Sequence, residues 1–215
     1  SKRIMEILMF MYSGKIKVST ARFANVINSD GSLIYSFNQR ILKNQPLVAP
    51  NDIKRYFISQ NTAAQLCLIS AFYGNNCEIF FPILNPRTDL ISFKELAIEF
   101  LHEKNLKPLI CDTEDEARNL SNFDNRGFWP CYFSKSETTG EKPFEEFFTK
   151  KEVLDLSRYK KIGVIKAEKN FDNALLINFK NEFQNFKRQN NWSRKGLIKI
   201  IKNAIPELEH IEKDK

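Results

Sequence analysis

Ile4, Ile7, Leu8 and Met11 recur at helical spacing, so "SKRIMEILMFMYSG" predicts one amphipathic helix. Glu6 interrupts the apolar run and no small-residue cleavage site follows, which argues against a signal peptide. "KIKVSTARFANV" reads as a strand that runs into a polar loop. Ser32 then caps a helix whose apolar positions Leu33, Ile34, Phe37, Ile41 and Leu42 share a face. "KNQPLVAPNDIKRYFI" holds two prolines and predicts extended, irregular chain. Ser59 opens a helix through Ala63, Ala64, Leu66, Cys67 and Leu68. "CEIFFPIL" is a short apolar strand of the kind buried on both faces, and "KPLIC" is another. Ser92 with Glu95, and Thr113 with Glu116, predict capping boxes ahead of "LAIEFL" and "EARNL". "PCYFSKSETTGEKPFEEFF" reads as a strand, a polar loop and an acidic-aromatic helix start. Strands alternating with helices make the class α/β.

The pattern changes after about residue 146. Leu175, Leu176, Phe179, Phe183 and Phe186 fall at helical spacing, and Ser193 caps "RKGLIKIIKNAI", which Pro206 stops. The expected division is an α/β region over residues 1–145 and a mainly helical, basic tail over 146–215. Charge follows that division. The net charge is +7, with 17 Lys and Arg against 16 Asp and Glu in residues 1–145, and 16 against 10 in residues 146–215. Such an excess suits nucleic acid, but the charges are dispersed and the tail's phenylalanines form one apolar stripe. No nucleic-acid partner is expected. No apolar run is long enough to span a bilayer, so no membrane partner is expected either.

The 215 residues suffice for one or two domains. The four cysteines, at 67, 77, 111 and 131, form no CxxC pair, and His102 and His210 lie far apart. This argues against a zinc site and for reduced thiols in a cytoplasmic protein. The chain begins with Ser inside a helical pattern that has no cap, which predicts a fragment of a longer protein.

The candidate chemistry starts with the loop from Asn25 to Ser32. A polar loop between a strand's end and a helix start aims free N–H groups and the helix's positive end at one point, which suits an anion. In that reading Asn25 presents its amide and the N–H groups of Gly31, Ser32 and Leu33 bind a phosphate. Asn-Ser-Asp-Gly is also ordinary turn chemistry, and the residues alone leave both readings open. Arg55, flanked by Tyr56 and Phe57, suits bidentate contact with a diphosphate, or is a surface arginine on an edge strand. Glu141 in "TTGEK" suits two ribose hydroxyls, or belongs to a polar turn. Arg87 in "NPRTDL" is expected to pair with Asp89. No glycine-rich G-x-G-x-x-G loop, Tyr-x-x-x-Lys pair or Cys/His dyad occurs in the sequence.

Together, "RFANVINSDGSLIYSF", "KRYFIS", "EIFFPIL" and "TGEKPFEEF" resemble the C-terminal half of the nucleotide-sugar 4,6-dehydratases of polysaccharide biosynthesis. These belong to the extended short-chain dehydrogenase/reductase superfamily, and the resemblance covers about residues 1–148. Within that family the chain most resembles the branch making precursors of bacterial nonulosonic acids such as legionaminic acid. The resemblance implies the C-terminal part of a Rossmann-like NAD(P)-binding fold, interleaved with a sugar-nucleotide-binding region and without the glycine-rich half. It implies oxidation of UDP-N-acetylglucosamine, or a related amino-sugar nucleotide, at C4, loss of water across C5–C6 and return of hydride to C6. Lys2 would match the lysine of the catalytic motif, and Asn25, Gly31, Ser32, Leu33, Arg55 and Glu141 would line the sugar-nucleotide side of the cleft. NAD(P) would belong to the parent enzyme and not be retained by this piece, which would be inactive alone. The full-length protein would be a homo-oligomer. Relatives often have Arg-Pro-Gly-Glu-Lys where this chain has Thr138-Thr139-Gly140-Glu141-Lys142, so one phosphate-binding arginine is missing. A sugar-nucleotide epimerase of the same superfamily, a non-catalytic assembly module and a basic nucleic-acid-binding module are the competing expectations.

Overall fold

The strand "EIFFP", as β5 (Glu78–Pro82), is buried at every residue. In the computed structural model, which describes residues 2–120, 127–142, 144–167, 173–189, 193–206, 208 and 210, it lies inside a four-stranded sheet. β1 (Ser19–Ala21) runs parallel to it on one side, and β10 (Ile162–Lys166) antiparallel on the other, with β9 (Val153–Asp155) beyond. The period of two explains why both faces are apolar. Phe80 and Val164 face α3 (Gln60–Tyr73) and pack with Leu66. Ile79, Phe81 and Ile165 face the other way, onto Phe10 at the end of α1 (Lys2–Phe10). Gly163 stands opposite Phe81, and a Cβ there would sit 2.2 Å from the Phe81 ring, so glycine makes room for that ring.

Two smaller sheets follow. β3 (Leu47–Pro50), β8 (Phe128–Ser134) and β7 (Lys107–Cys111) are all parallel. α2 (Leu33–Leu42) and α4 (Phe93–Glu103) close that sheet through a core of Phe37, Leu47, Ala97, Phe100, Leu101, Trp129 and Cys131. The third sheet sets β4 (Lys54–Ile58) between β2 (Asn25–Val26), parallel, and β6 (Leu90–Ser92), antiparallel. α5 (Glu114–Asn119) packs on β7 and β8. α6 (Asn173–Arg188) and α7 (Arg194–Ala204) lie against α1, where Ile4, Leu8, Phe179, Ala204 and Ile205 meet.

The mixed α/β class stands, and the caps form as the sequence has them. Ser32, Ser59, Ser92, Thr113 and Ser193 each accept from a first-turn N–H, and Ser92 with Glu95 makes a complete capping box. At Thr113 the box is broken, because Glu116 reaches back to the N–H of Asp112 instead. Two expectations about strands are corrected. "KIKVSTARFANV" is two strands in two sheets, because Arg22 between them is drawn away by ion pairs to Glu6 and Glu152. "KNQPLVAPNDIKRYFI" is regular, forming β3 and β4 with Pro50 at the strand end where its missing N–H costs least. In the tail, β9 and β10 precede the helices α6 and α7, and β10's "IGVIK" pairs with buried β5. The helix start expected at "PFEEF" does not form among the described residues around 144–148.

Candidate functional site

β2 and β4 run parallel with Asn25 opposite Phe57, so those two side chains share a face of the sheet. Arg55, two residues before Phe57, lies on that same face. The chain leaves β2 through a turn that includes Asn28 and Gly31, both at positive φ, and enters α2 at Ser32. On this face lies a hollow of about 270 Å³, lined by Asn25, Ser29, Gly31, Leu33, Phe57 and Phe93 among others. Gly31 has φ +74°, and a Cβ there would meet nothing within 4 Å. The turn therefore needs glycine for its backbone conformation, while the space beside it stays open.

The expected phosphate cradle is only partly free. The Ser32 N–H already donates to the Ser29 carbonyl at 2.9 Å, and the Ser32 hydroxyl accepts from Tyr35. The Gly31 and Leu33 N–H groups have no protein acceptor among the described residues. Two of the three anticipated donors remain, at the positive end of α2.

Arg55 stands beside the hollow. Its guanidinium lies over the Phe93 ring, 5.8 Å from the centroid, and Phe93 itself lines the hollow. β4 is the middle strand of its sheet, so Arg55 is not on an edge strand, and its side chain is only 12% exposed. One Nη donates to the carbonyl of Lys54 at 2.8 Å and the other to Glu141 at 3.2 Å. The second Glu141 oxygen accepts from the Ser136 hydroxyl at 2.6 Å, and the Ser136 N–H donates to Asp52 at 2.8 Å. The structure thus joins two residues that the sequence separates by 86 positions. It joins them to each other, with no gap kept between them.

Lys2 is exposed at the start of α1, and the structure does not bring it into the hollow. It stands near Glu145, whose carboxyl also faces Arg55. Burial pushes the Glu145 carboxyl's pKa up from its ordinary value, while Arg55 and Lys2 pull it the other way. One Glu145 oxygen is enclosed without a hydrogen-bond partner. Glu145, Ser136 and Phe93 are not among the residues the sequence singles out. Glu145 had a usable signal, since it lies four residues after Glu141 in "TGEKPFEEF". Ser136 and Phe93 had none, because only the fold brings them to Arg55. Arg87 forms no pair with Asp89, which instead accepts from the Asn85 N–H and the Thr88 hydroxyl.

Three comparisons bear on this arrangement. The chain is 27% identical over 177 residues to an uncharacterized membrane protein of Methanocaldococcus jannaschii, covering 79% of this chain and 47% of that protein. Among solved structures it is similar to Pen from Bacillus thuringiensis, with a TM-score of 0.53 and 18% identity, covering 75% of this chain and 45% of that one. It is also similar to a UDP-glucose 4-epimerase from Thermotoga maritima with UDP-glucose, with a TM-score of 0.44, 14% identity, and 70% and 43% coverage. The fold likeness rests on Pen. The chain spans about half the length of the curated relative it matches. Among the described residues no helix is long and apolar enough to cross a membrane. Residues 1–125 match the family described as polysaccharide biosynthesis protein, and the chain belongs to that family.

Proposed function

We propose that this chain forms the sugar-nucleotide side of the cleft in a nucleotide-sugar 4,6-dehydratase acting on UDP-N-acetylglucosamine or a related amino-sugar nucleotide. The observation that carries the reading is the meeting of Arg55 and Glu141 beside the hollow under α2. A diphosphate needs a delocalised cation and free N–H donors. Arg55 supplies the first, and Gly31 and Leu33 supply the second. A ribose diol needs a carboxylate that accepts two hydrogen bonds, which Glu141 provides once it turns from Arg55. Asn25 presents an amide to the sugar, and Phe57 and Phe93 give it an apolar wall.

These residues do not fit a dinucleotide. No G-x-G-x-x-G occurs in the 215 residues to bring a backbone turn against a pyrophosphate. We assign NAD(P) to the part of the longer relatives that this chain does not span, and derive no hydride step here. β1 supports that assignment, since it is an outer strand of its sheet with a parallel neighbour on one side alone. Lys2 would serve that cofactor side, and we place the protein in the cytoplasm as a homo-oligomer at full length.

Titration calorimetry of the chain with UDP-N-acetylglucosamine tests the binding role. Saturable heat that UDP competes away is the expected result, and none at millimolar ligand would sink the reading. With the full-length protein and NADP+, a 4-keto-6-deoxy product supports the dehydratase, and a C4 epimer alone would replace it with an epimerase.

A further inference from the structure

Among the described residues, three buried side-chain polar atoms lack a hydrogen-bond partner, and one is Glu145 Oε2. Native proteins leave few such atoms, and each calls for a reason. Glu145 follows Glu141 by four residues in the same loop and lies within electrostatic reach of Arg55, yet it forms no bond to that guanidinium. Arg55 from β4 and Lys2 from α1 are the charged groups that act on Glu145, and Glu141 acts on it through Arg55. One buried guanidinium therefore stands before two carboxyls and bonds only one.

We infer that Glu145 is a positioning residue for Arg55: it sets how freely that guanidinium leaves Glu141 for a bound diphosphate. The inference rests on the nucleotide-sugar reading above. Charged, Glu145 holds Arg55 to the protein and repels an arriving dianion. Neutral, it does neither, and burial of its carboxyl works against the charged form while Arg55 and Lys2 work for it. A diphosphate placed on Arg55 adds negative charge beside Glu145 and drives it further toward the proton-bound form. Ligand binding therefore takes up a proton at Glu145, and affinity rises as the pH falls.

The test uses the 215-residue chain and UDP-N-acetylglucosamine, whose diphosphate diester does not itself titrate between pH 5.5 and 8. Calorimetry in two buffers of different ionisation enthalpy reads proton uptake, and 13C NMR of the glutamate carboxyls reads Glu145 directly. Wild type is expected to take up a proton fraction that E145Q loses. At pH 8, E145Q is expected to bind on the order of fivefold tighter, and at pH 5.5 the two converge. E145D is expected to restore the pH slope, which a purely structural role would not. Arg55→Met is expected to raise the Glu145 titration midpoint. Equal proton uptake in wild type and E145Q, or an unmoved midpoint in Arg55→Met, would overturn the inference. If no ligand binds at all, the nucleotide-sugar reading falls, and the inference, which needs a bound diphosphate, falls with it. The Arg55→Met titration then still separates the two failures, by showing whether Glu145 and Arg55 are coupled.

Discussion

Arg22 and Arg55 are both largely buried arginines facing two carboxyls, and they do opposite things. Arg22 spends all five of its N–H donors: two on Glu6, two on Glu152, and a further contact to the carbonyl of Phe147. It fastens α1, the β1–β2 junction and the segment before β9. Burial disfavours its charge, but the bonds to Glu6 and Glu152 outweigh that and raise its pKa. Arg55 bonds one carboxylate and one carbonyl, leans on an aromatic ring, and leaves a second carboxyl without a bond. A saturated arginine reads as a fastener. An arginine with capacity left, beside an open hollow, reads as a binding group.

The sharpest way to break this contrast is to remove each guanidinium. Arg22→Met leaves Glu6 and Glu152 with the more exposed Arg3 as their cation and is expected to cost about 3 kcal/mol in urea unfolding. Arg55→Met is expected to cost less, about 1–2 kcal/mol of stability, because Glu141 keeps Ser136. It is expected instead to weaken UDP-N-acetylglucosamine binding by about 1.5–3 kcal/mol, roughly ten- to a hundredfold. A large stability loss at Arg55 with unchanged binding would erase the distinction.

A third ion pair gives a milder test. Arg158 holds Glu78 down to a pKa of about 2, helped by Asn75, while burial opposes them. Its folded pKa lies below its unfolded value, so its contribution is present above the ordinary carboxylate pKa and is lost as pH falls toward 2. Glu78→Gln is expected to flatten the decline of melting temperature between about pH 4.5 and 2, at a cost of about 2 kcal/mol at neutral pH. Unchanged acid sensitivity would show that Glu78 is idle.

The smallest effect belongs to Gly31. With φ +74° and open space at the Cβ position, Gly31→Ala is expected to cost about 1 kcal/mol through backbone strain, and Gly31→Asn less. A side chain there would also fill part of the hollow, so Gly31→Val is expected to lower affinity beyond its loss of stability.

Local signals were legible in the chain. Ser32, Ser59 and Ser92 announce helices by cap chemistry that acts within three residues, and "EIFFP" announces a buried strand by composition. Long-range pairing was not. Nothing near "IGVIK" says that it pairs with β5 from 80 residues away, and Gly163 makes sense only once Phe81 is opposite it. The site divides the same way. Asn25, Gly31 and Leu33 line one hollow because strand, turn and helix are contiguous. The Ser32 N–H was overcounted because its acceptor, Ser29, depends on the turn's path. Arg55 and Glu141 were each singled out, but their bond depends on β8 delivering the loop after Ser134 to β4. Glu145 emerged only from that delivery.

In the proposed function the hollow under α2 and Arg55 together seat a sugar nucleotide. Backbone and arginine side-chain NMR during titration with UDP-N-acetylglucosamine tests it most directly. Saturable shifts are expected at the Gly31 and Leu33 amides and at the Arg55 Nε–H, with Arg22 Nε–H unmoved. Shifts confined to other parts of the chain, or an Arg55 signal that stays fixed while ligand binds, would contradict that seating.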